Sequence, residues 1–424
     1  MRRSPPPPSG PDSMSTKPTM ISVLRNRDFL FLEINAFFGN LAAEILIVAV
    51  TWMIYDRTQD PVLLGLTGIV QFLPFLCLVL VTGSVADRYS RRNIIAASMV
   101  VEFVAMLGIA LVSESATTDV WPIMALLALL AVGRAFFTPA ARALAPNLVR
   151  RDEIGAAIAC STATWQFCSI AGPALGGLLY GISSLFAFMT ALAMVALATV
   201  ATLMIRPVPQ REVGEHGMLA SLLGGVRYMK AEKIVLGATT LDLFAVLFGT
   251  TIILLPIYAR DILMAGPWEL GVLRAAIGVG ALLMALALGL YPIRRRAGHL
   301  MFAAVAIFGL GTIVFGFSTS LILSALALAL MGASDMVSVY IREVLIQLWT
   351  PDELRGRVGA VNSVLINASN ELGTFRAGIA AGAIGPVAAT VLGGICTLAV
   401  TGLWMWWFPK LRQADDISGA DSGK

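Results

Sequence analysis

Long apolar runs separated by short polar stretches dominate the sequence. A helix needs about 20 mostly apolar residues to cross a bilayer. Twelve segments between turn signals approach or exceed this length, so the pattern predicts an all-α integral membrane protein. The predicted spans are roughly 29–55, 61–86, 93–113, 120–142, 154–180, 182–205, 234–259, 267–292, 298–318, 320–347, 356–382 and 385–408.

The composition supports this interpretation. Of the 424 residues, 58% are hydrophobic and only 13% are charged. Soluble domains carry about 25% charged residues, so this chain has too few for a surface that faces water on all sides. The bilayer is therefore one of its solvents, and a multi-pass membrane protein is expected.

Lysine and arginine fall mainly in alternate loops. With the N-terminus inside, the opposite face receives only Arg57 and Arg260 of the residues assigned to loops. Because cytoplasmic loops are enriched in basic residues, this asymmetry predicts cytoplasmic N- and C-termini. The cytoplasmic set includes Arg25, Arg27, Arg88, Arg91, Arg92, Arg150, Arg151, Arg206, Arg211, Lys230, Lys233, Arg294, Arg295, Arg296, Arg355, Arg357, Lys410 and Arg412.

The longest break between spans divides the chain into two halves. We predict a disordered cytoplasmic tail at 1–24, a six-helix bundle at 25–206, a cytoplasmic linker at 207–233, a second six-helix bundle at 234–409, and a tail at 410–424. Within the linker, MLASLLGGVRYMK either forms an amphipathic helix at the membrane surface or is a simple connector.

The two halves share a charged sequence. RALAPNLVRRDEIGAAI (142–158) aligns without gaps on REVLIQLWTPDELRGRV (342–358), so that Arg142 matches Arg342 and Asp152-Glu153 match Asp352-Glu353. Such a repeat predicts two parallel halves related by an axis along the membrane normal, with a binding site between them near mid-membrane.

The polar stretch GSVADRYSRRN (83–93) lies between the second and third spans. It resembles the loop signature G-x-x-x-D-R/K-x-G-R/K-R/K of the major facilitator superfamily, with Ser90 in place of the second glycine. The resemblance implies that Asp87 helps to hold the two halves together in the outward-facing state, with the start of the eleventh span as its partner. The matching residues are Gly83, Asp87, Arg88, Arg91 and Arg92.

Further stretches resemble the enterobactin-exporter branch of that superfamily: GRAFFTPAARALAPNLV, STATWQFCSIAGPALGGLL and TPDELRGRVGAVNSVLINASNELG. The resemblance implies export of a small organic molecule, siderophore-like or drug-like, by alternating access across the cytoplasmic (inner) membrane of a bacterium. It implies a monomer without a bound cofactor, acting on its substrate and on protons, and without a nucleotide or nucleic-acid partner.

Ionisable residues inside the predicted spans are functional candidates, because a charge in the bilayer costs several kcal/mol unless it is paired or hydrated. Glu33 and Arg274 lie near opposite faces, where each could simply meet water or headgroups. Glu102 is a possible counter-ion for Arg134. The candidates for proton coupling or for the substrate cavity are Glu44, Arg134, Asp242, Asp335, Glu371 and Arg376.

We expect one or more of the carboxylates to take up a proton while Arg134 or Arg376 tunes its affinity for that proton. Asp335 is our first choice. Polar uncharged side chains would complete the cavity, although some could simply link helices: Asn35, Asn40, Gln71, Gln166, Asn362, Asn367 and Asn370.

Other functions are less consistent with the sequence. An importer would share the fold and is separated from an exporter here only by the branch resemblance. A membrane enzyme would need a catalytic cluster, whereas the two histidines, His216 and His299, are isolated. An ATP-driven pump would need a phosphate-binding G-x-x-x-x-G-K-[ST] loop, which the sequence lacks. A channel would not explain the repeat.

Overall fold

The computed structural model describes residues 19–115, 119–207 and 218–414, without the side chains of 79, 80, 84, 86, 87 and 218–222. The described residues form helices joined by short turns, without an extended strand. The long helices are α1 Arg27–Thr58, α2 Pro61–Arg88, α3 Arg91–Ser113, α4 Trp121–Leu148, α5 Ile154–Ile182, α6 Ser184–Met204, α7 Lys233–Gly249, α8 Pro267–Leu290, α9 Ala297–Phe317, α10 Leu321–Trp349, α11 Asp352–Ile384 and α12 Pro386–Trp407.

Eleven helical segments among the described residues are long and apolar enough to cross a membrane. The all-helical membrane fold is therefore confirmed. The long helix outside this set is α11, which begins with Asp352 and Glu353 and carries Glu371 and Arg376 further along. These charges lower its hydropathy, so its crossing of the bilayer and the sidedness of the chain stay predictions.

Local sequence signals set several helix starts. Asn26 accepts hydrogen bonds from the backbone N–H groups of Asp28 and Phe29 at the start of α1. Asp60 does the same for Val62 at the start of α2, where Pro61 occupies the first turn. These side chains replace the partners that the first N–H groups of a helix lack.

The seventh span departs from the continuous helix that we predicted over 234–259. Helix α7 ends at Gly249, and a 3₁₀ turn Ile252–Leu254, a short helix Leu255–Ile257 and a π-helical segment Tyr258–Ile262 follow. Pro256 lies in the first turn of the short helix and has no N–H to donate to the carbonyl oxygen of Ile252, four residues before it. One hydrogen bond of a continuous helix is therefore missing across this region.

The packing of the helices repeats between the two halves. In the first half α1 packs on α5 and α6, α3 packs on α4 and α6, and α2 packs on α4. The corresponding second-half pairs are α7 with α11 and α12, α9 with α10 and α12, and α8 with α10. Contacts of α5 with α8 and of α2 with α11 join the halves and are themselves related by the repeat.

Glycines permit these two junctions between the halves. A Cβ atom at Gly177 of α5 would lie 2.3 Å from the carbonyl oxygen of Pro267 and 2.9 Å from Cα of Gly271 in α8. A Cβ at Gly65 of α2 would lie 2.8 Å from Cα of Gly378 in α11. Both contacts lie at the end of the bundle that the charge pattern assigns to the periplasm.

Among the described residues, shorter helices flank or connect the long ones. The end of the predicted N-terminal tail forms the helix Met20–Leu24, and Pro409–Arg412 forms one after α12. The described part of the linker forms a helix, Met218–Ala231, which we call the linker helix. It packs on α11, where a Cβ at Gly225 would lie 2.5 Å from the carbonyl oxygen of Arg357. The assignment of domains stays a prediction.

Candidate functional site

Arg134 of α4 is the centre of the first group of charges. Its Nε lies 3.8 Å from Oε2 of Glu102 on α3, a carboxylate that is buried. Gly133 allows this approach, because a Cβ there would lie 3.2 Å from Cγ of Glu102. The expected pairing of Glu102 with Arg134 is therefore present. The Arg134 side chain is 40% exposed and lines a cavity of about 110 Å³.

Two further carboxylates lie within electrostatic reach of Arg134. One is Glu44 of α1, and the other is Glu371 of α11 in the second half. Arg274 of α8 also acts on Glu44, and its Nη2 lies 3.5 Å from the hydroxyl of Thr51. Three of the candidates, together with Arg274, thus interact electrostatically across the two halves.

Arg274 is more deeply buried than its position near a membrane face suggested, with 9% of its surface exposed. Its Nε has no hydrogen-bond partner among the described residues. Of the two alternatives left open for Arg274, simple contact with water or headgroups is disfavoured by this burial and by the contact with Thr51 of α1. The Arg274 guanidinium thus has one N–H group without an acceptor in the described part of the chain and interacts electrostatically with the Glu44 carboxylate. A buried group of this kind can respond to a ligand or to protonation of the carboxylate.

The second group of charges lies within the second half. Asp242 of α7 forms a buried ion pair with Arg342 of α10, and the hydroxyl of Ser338 lies 3.4 Å from Oδ1 of Asp242. Asp335, one helical turn before Ser338, lines a small cavity with Asp242 and interacts electrostatically with both members of the pair. Oε1 of the half-exposed Glu343 also lies 3.9 Å from Nε of Arg342, so the group holds three carboxylates and one guanidinium.

Arg342 was not among our candidates. The internal repeat aligns Arg342 with Arg142, but nothing in the sequence pattern indicated that Arg342 lies beside Asp242. Only the packing of α7 against α10 brings the two charges together.

Arg376 lies apart from both groups. Its Nε donates to the carbonyl oxygen of Leu247 at 2.8 Å, and its Nη2 to that of Thr250 at 3.3 Å. These carbonyls end α7, where the helical hydrogen bonds stop. Non-helical backbone within a membrane needs such replacement partners. The geometry therefore gives Arg376 a role in stabilising the break, and its influence on a carboxylate stays a prediction.

The loop motif lies between α2, which ends at Arg88, and α3, which begins at Arg91. Arg91 donates to the carbonyl oxygen of Ala143 near the end of α4 at 2.8 Å. Arg92 donates to the carbonyl oxygens of Thr202 and Leu203 at the end of α6. These contacts suit the partial negative charge of a helix C-terminus. The Asp87 side chain lies outside the described residues, so its role stays a prediction.

A cavity of about 490 Å³ lies in the first half, between α1, α4 and α5. Glu33 lines it but is only 6% exposed, because Ser161 and Thr164 of α5 donate hydroxyl hydrogen bonds to its two oxygens. Glu33 therefore does not simply face water. A volume in this range is typical of sites for small molecules.

At the opposite end of the bundle, charged side chains join the halves directly. Arg260 forms an ion pair with Asp56 at 2.9 Å, and the hydroxyl of Tyr55 donates to Asp261. Tyr55 and Asp56 belong to α1, whereas Arg260 and Asp261 belong to the π-helical segment after α7. Sequence reasoning missed this group, which we call the end clamp, because it depends on the break after α7.

The described residues contain no group of three or more histidine, cysteine or acidic side chains arranged to hold a metal ion. The side chains of the two groups and of the cavity carry guanidinium, carboxylate, hydroxyl and amide groups. Such groups can bind polar organic molecules and can exchange protons.

Comparisons with known proteins agree with the fold. A family model described as a transmembrane secretion effector matches residues 18–422. The enterobactin exporter EntS of Shigella boydii serotype 4 is 28% identical over 392 residues, which cover 89% of this chain and 91% of the relative. EntS of Escherichia coli O81 is 27% identical, over 86% of this chain and 87% of the relative.

Solved structures show the same architecture. The nucleoside transporter NupG superposes with a TM-score of 0.73 at 11% identity, covering 90% of this chain and 99% of that one. The D-xylose-proton symporter gives 0.70 at 12% identity, with coverage of 93% and 98%. At these identities the likeness establishes the fold alone.

Proposed function

The chain belongs to the transmembrane secretion effector family of major facilitator transporters, and we propose that it exports a small organic molecule, siderophore-like or drug-like, from the cytoplasm. It is a transporter and not an enzyme. The observation that carries the proposed direction and substrate class is its similarity, over about 90% of its length, to enterobactin exporters. Groups of charges at the junction of the halves support a polar substrate.

The proposed mechanism is alternating access. The junctions α5–α8 and α2–α11 are closed by glycine contacts at one end, and the end clamp adds an ion pair there. The 490 Å³ cavity lies nearer the other end of the bundle, which the charge pattern assigns to the cytoplasm. Its lining includes Glu33 and Trp165. A transporter closed at the periplasmic end and accessible from the cytoplasm could load an export substrate. Parting of the same junctions would release it.

We place proton coupling at Asp335. When Asp335 is ionised, it and Asp242 compete for the single guanidinium of Arg342. Protonation of Asp335 removes this competition. It leaves a neutral acid beside the ion pair of Asp242 and Arg342. The protonation state therefore changes the net charge between α7 and α10, which is the kind of change that can bias two conformations.

The substitution Asp335→Asn tests this assignment, because asparagine keeps the shape and removes the titration. Export would be measured in a deletion strain as the ratio of exported compound in the medium to that in cells, with and without an uncoupler. We expect wild-type export to fall when the proton gradient collapses. The variant should show low export that the uncoupler does not change.

Glu114→Gln is the control, since Glu114 is an exposed acid directly after α3 and away from both groups of charges. It should export as the wild type does. Full export by Asp335→Asn against a gradient would remove Asp335 from the coupling mechanism while leaving the transport function in place. Accumulation of the compound in wild-type cells, rather than in the medium, would indicate import.

A further inference from the structure

The internal repeat places two arginines in different environments. Arg142 and Arg342 occupy the same position, counted from the first residues Trp121 and Leu321 of α4 and α10. Arg342 is 3% exposed and paired with Asp242. Arg142 is exposed, and no ion pair of the described residues includes it. One half therefore neutralises its arginine, whereas the other does not.

The missing acid explains this difference. Asp242 lies nine residues after Lys233, the first residue of α7, and the same step from Arg27 at the start of α1 leads to Ala36. Ala36 and Arg142 both line the 490 Å³ cavity. Where the second half has a carboxylate against its arginine, the first half has a methyl group and an open space. An anion from solution can occupy that space.

The rest of the cavity favours an aromatic anion. Trp165 is 55% exposed and lines the cavity together with Phe137, and both rings offer faces or edges for stacking. Glu33 is the acid in the lining; it is only 6% exposed, and Ser161 and Thr164 donate hydrogen bonds to its two oxygens. Arg142 is the cationic side chain of the lining and is exposed, so it is the charged group that an anion can reach.

The cavity also leads towards the central charges. Asn40 and Phe137 line both this cavity and the smaller one that contains Arg134 and Glu102. Asn40 therefore lies between the two arginines of α4. A ligand released by Arg142 would next meet an amide and then the Arg134 guanidinium.

We propose that Arg142, Trp165 and Asn40 form an entry site for aromatic carboxylates, such as a benzoate, before the substrate reaches Arg134. This inference rests on the proposed transport function and specifies its substrate class. Arg142 binds the carboxylate oxygens, Trp165 stacks on the ring, and Asn40 hydrogen-bonds the next polar group.

The test measures binding of radiolabelled salicylate to the purified full-length chain in phosphatidylcholine nanodiscs. Salicylamide, the uncharged analogue of the same shape, is the matched ligand. We expect salicylate to bind more tightly than salicylamide to the wild type. Arg142→Gln should weaken salicylate binding by about ten- to a hundredfold, the value of a hydrogen bond to a charged group, and leave salicylamide unchanged.

Two further variants separate this role from a structural one. Arg151→Gln removes an exposed arginine outside the cavity and should bind salicylate as the wild type does. Trp165→Ala should weaken both ligands, and Trp165→Phe should restore most of the affinity, because a ring is kept. Equal binding of the two ligands by the wild type, or unchanged salicylate binding by Arg142→Gln, would overturn the proposal.

The outcomes also distinguish this site from the transport function. Displacement of salicylate by added phosphatidylglycerol would identify a lipid headgroup as the occupant and overturn the proposal. If the wild type exports a compound and Arg142→Gln exports it with the same KM, the entry site is wrong and the transport function stands. Charge-selective binding without export by the wild type would contradict the proposed function and leave the site intact.

Discussion

At the scale of single residues, the ion pair between Asp242 and Arg342 carries a clear energetic consequence. Both side chains are almost fully buried, and Arg342 is 3% exposed. Removing one partner of a buried pair leaves the other charge uncompensated, at a cost of about 3–5 kcal/mol. Removing both charges costs less, because neither member of the pair is left without its partner.

We therefore predict that Arg342→Gln strongly lowers the thermal stability of the detergent-solubilised protein, because Asp242 loses its partner. Adding Asp242→Asn to that variant should recover most of the loss. Thermal unfolding of the two single variants and the double variant measures the coupling directly. A double variant as unstable as the sum of the single ones would show that the pair contributes little.

The residue scale also shows what sequence could and could not predict. Spans, charge asymmetry and candidate acids followed from hydropathy and from the cost of charges in a membrane. The ion-pair partners of these acids could not be predicted, because Asp242 and Arg342 are 100 residues apart in sequence and meet only through helix packing. The contacts of Arg376 could not be predicted either, because its two carbonyl acceptors are available only through the break after α7.

At the scale of helices, the approach of α5 to α8 depends on the absence of a side chain. Gly177→Ala would place a Cβ 2.3 Å from the carbonyl oxygen of Pro267, so the two helices must separate. Overpacking of this kind costs roughly 1–3 kcal/mol. We expect the variant to favour the conformation open at this end and to transport more slowly.

Gly181→Ala is the matched control on the same helix, because a Cβ there meets nothing within 4 Å. Export rates of the two variants in the deletion strain provide the comparison. Equal rates for Gly177→Ala and Gly181→Ala would show that close approach at Gly177 is not needed for the transport cycle.

At the scale of the whole molecule, the end clamp closes one side of the passage between the halves. Arg260→Ala removes its ion pair with Asp56, and the exchanged double variant Asp56→Arg/Arg260→Asp restores opposite charges. We expect the first variant to open this end more often and the second to reverse that change in part. Partly exposed pairs contribute about 1 kcal/mol or less, so the shift should be severalfold.

A reporter cysteine at Thr51, which is fully buried between the halves, makes this shift measurable. The native Cys77, Cys160, Cys168 and Cys396 would be replaced by serine or alanine. A membrane-impermeant maleimide added from outside should label the reporter faster in Arg260→Ala than in the parent or in the exchanged variant. Identical labelling rates would contradict the gating role of the clamp.

If the whole protein exports a small organic molecule, mass spectrometry of a deletion strain will reveal the compound. Medium and cell pellets would be profiled beside the complemented strain, in iron-poor and iron-rich cultures. We expect a compound that disappears from the medium and accumulates in cells only when the gene is absent. Identical profiles, or a compound that accumulates in cells only when the gene is present, would contradict export.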